Sequence, residues 1–330
     1  MKPLQVTVAG AGIYGLWTAF ELARRGHRVR LVERNPEPFA GAASQWAGAM
    51  LAPYCEEEGA EPIIRVLGLE AMEIWRAAYP GIVFNGTLVV AAARDLSELR
   101  RFARATQGHT HPDAEGLAAL EPDLAGRFHS ALYFQDEAHM APMEAMGFLL
   151  AGLKRAGVDL RFGETLADEP EGLLIDCRGL GARDRLPTLR GVRGERVLVK
   201  AGDVGLMRPV RLLHPRHPLY VVPWPEGVYM IGATVIESED PAPMTVRSAL
   251  ELLGLAYALH PAFGEAEIVQ LGAGLRPAFP DNVPRVVIDR DRIHVNGAYR
   301  HGFLLAPLLA RAAAEYLETG TRHPDIIVNL

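Results

Sequence analysis

A short apolar run that breaks into Gly10-Ala11-Gly12-Ile13-Tyr14-Gly15 and resumes with helical periodicity leaves the start of this chain few ways to fold. Leu4 to Ala9 reads as a strand buried on both faces of a parallel sheet. Leu16, Ala19, Phe20 and Ala23 recur at helical spacing and Gly26 supplies a stop. His27 to Glu33 then reads as a second strand carried by Val29, Leu31 and Val32. Each glycine of the turn has its own task. Gly10 permits the tight turn, Gly12 lets the backbone approach a pyrophosphate, and Gly15 lets the helix close on the strand. The helix start offers free N–H groups and partial positive charge to that anion. Glu33, about twenty residues beyond the glycines, would accept hydrogen bonds from both ribose hydroxyls and repel a 2′-phosphate. NADP is therefore disfavoured, while FAD and NAD both stay open.

Composition narrows the class. At one domain per roughly 100 to 200 residues, 330 residues imply two domains. An apolar fraction of 49% is too high for a disordered chain. No apolar stretch approaches the roughly 18 residues of a membrane span. The net charge of −6, from 34 Lys+Arg against 40 Asp+Glu, argues against a nucleic-acid partner. Cys55 and Cys177 provide neither a disulfide framework nor a four-thiolate metal site, and are expected as buried, reduced thiols. His214-Pro215-Arg216-His217 reads as an exposed turn, so no metal is expected. Met1-Lys2-Pro3 runs directly into the first strand without signal-peptide architecture, and the expectation is a cytoplasmic protein with no membrane partner.

Beyond the first unit, strand and helix cease to alternate. Thr87 to Ala91 reads as a strand outside the nucleotide domain, Met143 to Ala156 as a helix, and Gly172 to Cys177 as another buried strand. From Arg193 to Gly232, β-branched residues alternate with turn signals, as in an antiparallel sheet. Gly302 to Glu318 is helical. The expected fold is an α/β Rossmann-type dinucleotide-binding domain with a parallel sheet (residues 1–84, 143–185 and 267–330). It is interleaved with an α+β substrate-binding domain on a mainly antiparallel sheet (residues 85–142 and 186–266).

The segment Ala42-Ala43-Ser44-Gln45-Trp46-Ala47-Gly48-Ala49-Met50-Leu51-Ala52-Pro53 is rich in small residues and apolar for a loop, which suits close approach to a large flat ligand. It resembles the loop beneath the flavin in the D-amino-acid-oxidase-like FAD amine oxidases, closest to the thiamine-pathway glycine oxidases. Three further blocks resemble that family, in its order. Gly274-Leu275-Arg276-Pro277 with Asp281 and Pro284 is similar to its G-L-R-P-x-x-x-D-x-x-P stretch. Asn296 to Pro307 is similar to its flavin-edge helix start, with Ala298 and His301 standing where the family usually has His and Asn. Leu219-Tyr220-Val221-Val222-Pro223 and Ile231-Gly232-Ala233-Thr234 resemble its substrate-sheet hairpin. Weaker echoes fall at Asn85-Gly86-Thr87-Leu88, Gly179-Leu180-Gly181-Ala182 and Arg193-Gly194-Glu195.

The resemblance implies an FAD-dependent oxidase of a small α-amino acid, glycine first. Its product would be an imine or a 2-oxo acid such as glyoxylate, with O2 reduced to H2O2, in thiamine biosynthesis beside a thiazole-forming enzyme. The alternatives are a broader D-amino acid oxidase or dehydrogenase, an NAD-dependent dehydrogenase, and a non-catalytic flavin-binding subunit. A homo-oligomer is compatible with the sequence. The flavin is expected to be non-covalent, because the C-terminal block holds no Cys.

Arg276, between Gly274 and Pro277 in an apolar run, is the expected carboxylate anchor, because its fork matches a carboxylate bidentately. Tyr220 would add a phenolic hydrogen bond, and Arg300 would touch substrate and flavin or hold its loop. The expected cofactor-binding set is Gly10, Gly12, Ile13, Tyr14, Gly15, Glu33, Arg34, Ala43, Ser44, Gly48, Ala49, Met50, Leu166 and Ala298 through Leu304 (Ala298, Tyr299, Arg300, His301, Gly302, Phe303, Leu304). The last three residues open a helix whose positive end would meet negative charge gathering on the flavin. Trp46 either walls the pocket or fills the seam between domains. Glu56-Glu57-Glu58 reads as a solvated loop face.

Overall fold

The computed structural model describes residues 2–290 and 292–330; Met1 and Asp291 lie outside it. Two seven-stranded sheets organise the chain. In the first, the order is Ile327–Asn329, Arg285–Asp289, Arg292–Asn296, Leu173–Asp176, Gln5–Ala9, Arg28–Glu33, Asp159–Phe162. Five of these strands are parallel neighbours. Arg285–Asp289 runs antiparallel to Arg292–Asn296 and parallel to Ile327–Asn329, so one edge of the sheet is reversed. Gln5–Ala9 sits inside the sheet, and Val6 through Ala9 are all buried, which is why its sequence shows no alternation.

The second sheet runs Glu267–Ala278, Arg190–Lys200, Val228–Gly232, Leu219–Trp224, Val210–Leu213, Thr87–Ala91, Ala131–Phe134. All its pairs are antiparallel except Val210–Leu213 with Thr87–Ala91. Glu267–Ala278, in a segment expected with the nucleotide domain, is therefore an edge strand of this second sheet. The chain returns to the first sheet only after Ala278. A short ladder of Met50–Leu51 with Ala138–His139 lies outside both sheets.

Helices Ile13–Arg24, Ile63–Ala78, Pro142–Arg155 and Gly302–Thr319 share one core with the first sheet. Val246–Leu259 covers the second through Leu252, Ala256 and Leu259. The helix Gly302–Thr319 ends on Gly320, whose φ of 71° is the left-handed conformation such a stop needs. It also contains Pro307, which has no N–H to donate to the carbonyl of Phe303. The indole N–H of Trp75 donates to that carbonyl instead, at 2.7 Å. Trp75 thus ties the neighbouring helix to the first turn of this one. Among the described residues, no helix is long and apolar enough to cross a membrane, and no group of three or more His, Cys, Asp or Glu could hold a metal ion. Cys55 and Cys177 are both buried and unpaired.

Candidate active site

A cavity of about 710 Å³ opens between the two sheets. Every residue expected to touch cofactor or substrate lines it, except Gly15. Gly15 lies beneath the turn, where a Cβ would stand 1.7 Å from the Gly10 carbonyl oxygen, so helix and strand meet there only through glycine. Gly10 has φ of +95°, and a Cβ on it would lie 2.7 Å from the carbonyl oxygen of Cys177. A Cβ on Gly12 would meet nothing nearer than Ser44 Oγ, at 3.5 Å, which leaves that backbone open to the cavity. The Ile13 N–H donates to Ser44 Oγ at 3.0 Å, so a loop hydroxyl already caps the helix start where an anion would sit. Glu33 accepts from the Ala11 N–H at 2.8 Å and from the Asn35 backbone and side chain at 3.0 Å, which aims its carboxylate across the turn. The Tyr14 hydroxyl is buried without a partner among the described residues, and burial drives its pKa well above the ordinary phenol value. An open glycine backbone, a helix start, an acid at the second strand's end and an orphaned hydroxyl together fit a dinucleotide.

The second sheet supplies the opposite wall. Arg276 projects from Glu267–Ala278 and lies flat over Gly194, where a Cβ would stand 2.1 Å from its guanidinium carbon. Its two terminal nitrogens donate to the Thr234 carbonyl at 3.2 Å, and one reaches the Arg193 carbonyl at 3.4 Å. Among the described residues no carboxylate pairs with it, and burial lowers its pKa from the ordinary value. Such a cation, whose hydrogen bonds among the described residues go only to backbone carbonyls, is set to receive an anion. Tyr220, on Leu219–Trp224, lines the same wall. Arg193 is bound to Glu195 at 2.7 Å and donates to the carbonyls of Asp240, Ala242 and Pro243, which pins the loop bordering the cavity.

The acidic run corrects an expectation. Glu56-Glu57-Glu58 is not a solvated face: Glu56 pairs with Arg300 at 2.9 Å, Glu57 with Arg65 at 2.5 Å, and Glu58 with Arg101 and Arg211 at 2.6 and 2.8 Å. Burial opposes the Glu56 charge, but Arg300, His301 and Arg211 outweigh it and hold this carboxyl below its usual range. Glu56 in turn raises the pKa of Arg300. Burial pushes His301 down to about 4, so the imidazole preceding the helix is neutral at physiological pH. No local signal marks Glu56, whose partner lies 244 residues away. The turn His214 to His217 is exposed apart from a half-buried His214, as its prolines imply.

Residues 5–316 match the model of the FAD dependent oxidoreductase family, DAO. A Rhizobium etli protein with the provisional name thiamine biosynthesis oxidoreductase ThiO is 52% identical over 324 residues, covering 98% of this chain and 99% of that one. The glycine oxidase of Pseudomonas aeruginosa is 28% identical over 353 residues, covering 95% of this chain and 94% of its own. Among solved structures, a glycine oxidase from Bacillus cereus superposes with a TM-score of 0.80 at 22% identity, covering 97% of this chain and 96% of that one.

Proposed function

The chain belongs to the family of FAD-dependent oxidoreductases, and from that premise we propose that it oxidises glycine or a similarly small α-amino acid. The products would be an imine that water converts to glyoxylate and ammonia, with O2 taking the two electrons and two protons to leave H2O2. The observation that carries this reading is the half-buried Arg276 guanidinium, free of any acid partner among the described residues, in the wall of the dinucleotide cavity.

FAD, when bound, supplies the two-electron oxidant. Gly10, Gly12, Ile13, Tyr14, Glu33, Ser44 and the helix start at Gly302 would hold it. The protein's share is orientation and field. Arg276 takes the substrate carboxylate in a bidentate fork, and Tyr220 adds a hydroxyl donor from the neighbouring part of the sheet. Arg300, already neutralised by Glu56, fixes the loop that leads into the helix rather than offering a second free cation. The unpaired N–H groups of Gly302, Phe303 and Leu304 turn the positive end of an 18-residue helix toward the cavity. No side-chain base is required, since a substrate bound as the neutral amine needs no proton removed from its nitrogen. The thiamine-pathway name of the Rhizobium etli relative supports a thiazole-forming enzyme as the recipient of the imine. Two buried, unpaired thiols agree with a reducing cytoplasm.

The test is oxygen uptake with peroxide detection by the purified flavoprotein on glycine, sarcosine, D-alanine and D-proline. Turnover of glycine at or above the others is expected. A D-proline optimum far above glycine would shift the assignment to a broader D-amino acid oxidase, and silence on all four would point to a subunit of a larger complex.

A further inference from the structure

Three glycines stand on one face of the second sheet where two of its strands pair: Gly272 and Gly274 on Glu267–Ala278, and Gly194 on Arg190–Lys200. Glycine weakens a strand interior and marks places where something approaches the backbone closely. Here two groups do so. A Cβ on Gly272 would lie 1.8 Å from the Trp46 ring and one on Gly274 2.6 Å from it, so the indole is laid on bare strand. A Cβ on Gly194 would be overlapped in the same way by the Arg276 guanidinium. Gly194 and Gly274 are directly opposed in register. Indole and guanidinium therefore occupy adjoining places on one face, and both line the cavity.

The indole is also held from the side. Arg196 is buried with its guanidinium carbon 5.2 Å from the centre of the Trp46 ring and 5.4 Å from that of Trp224. It donates to the carbonyl of Gln45, the residue before Trp46, at 2.8 Å. Two residues on, a Cβ at Gly48 would strike the Met230 methyl at 2.4 Å and approach the Tyr220 ring at 3.3 Å, so this stretch is seated on the sheet at both ends.

We propose that Trp46, seated on Gly272 and Gly274 and clamped by Arg196, is the wall that confines the substrate to an amino acid with little or no side chain. The inference rests on the reading that Arg276 holds the substrate carboxylate. An acid anchored on Arg276 has the indole as its neighbour along the strand, and a ring seated on the strand and held from the side by Arg196 does not swing aside for an added methyl. A pocket that must exclude one methylene discriminates by about ten- to two-hundredfold.

The experiment titrates the holoenzyme with acetate, propionate and isobutyrate, which carry the carboxylate but cannot be oxidised, and follows the flavin absorbance. In the wild type, affinity should fall at least tenfold from acetate to isobutyrate. In Trp46→Ala the series should flatten, and the kcat/KM ratio of D-alanine to glycine should rise about tenfold or more. Trp46→Phe, which keeps a ring on the glycine strand, should show the same change at smaller amplitude and serves if the alanine variant loses its flavin. Parallel falls in wild type and both variants overturn the role of Trp46 while leaving the anchor intact. Acetate affinity that Arg276→Lys leaves unchanged removes the anchor itself, and the inference with it.

Discussion

Replacing Arg276 with alanine should abolish most of the enzyme's preference for substrates bearing a carboxylate. The half-buried guanidinium makes three backbone-carbonyl contacts and has no acid partner in direct contact among the described residues, so a substrate carboxylate would be its direct ion-pair partner. Hydrogen bonds between charged partners contribute about 1.5 to 3 kcal/mol each, and the fork makes two. Part of that gain is offset by desolvating the acid, which leaves about 3 kcal/mol, or roughly a hundredfold or more in kcat/KM. Arg276→Lys retains a charge but loses the planar fork and should fall between wild type and alanine. The assay is initial-rate oxygen uptake across glycine concentrations, with flavin content read from absorbance so that cofactor loss is separated from substrate binding. An alanine variant that keeps its flavin and stays within threefold of wild-type kcat/KM would refute the anchor.

Three further outcomes are expected. Glu33→Ala removes the acceptor of the Ala11 N–H and the carboxylate aimed across the glycine turn, so flavin should be lost faster on dialysis with the amino acid preference unchanged; unaltered retention removes Glu33 from the site. Trp75→Phe leaves the Phe303 carbonyl without a donor, because Pro307 cannot supply one, and should cost about 1 to 3 kcal/mol in thermal unfolding. Trp17→Phe is the control, since the Trp17 indole N–H has no partner among the described residues; equal losses in both would refute the bridge. Burial raises Glu137 to about 7, so the folded protein holds a proton that the unfolded chain releases near the ordinary carboxyl value. That stabilisation is present below about pH 4.5, is lost as pH rises through about 7, and is worth up to about 3 kcal/mol. Glu137→Gln keeps an acceptor for the Cys55 N–H and should gain on wild type by about that amount between pH 4.5 and 8 in denaturation curves; a constant offset would show that Glu137 does not titrate in this window.

Much of the nucleotide half was legible because its physics is local. A buried strand, three glycines with separate duties and an acid at the next strand's end all fall within Leu4 to Glu33, and the structure gives strand, helix and strand there. Arg276 could be singled out because small residues flank it in an apolar run. What escaped depends on partners far along the chain. The run Glu56 to Glu58 looks like any solvated loop until Arg65, Arg101, Arg211 and Arg300 are brought to it. The strand Glu267–Ala278 reads as part of the domain that follows it in sequence, yet it pairs with Arg190–Lys200. The two possible roles of Trp46 were not alternatives: the ring both packs on the glycine strand and faces the cavity.

The interleaving of the two sheets has a consequence for biosynthesis. Gln5–Ala9 gains its partner Leu173–Asp176 only after strands Thr87–Ala91 and Ala131–Phe134 of the other sheet have been translated, and the reversed edge waits for residues 285–329. The turn at Gly10 to Gly15 and the helix start at Gly302 grip one cavity, yet the second is translated long after the first. Nascent intermediates must therefore carry unpaired strand edges for most of elongation, a state prone to aggregation.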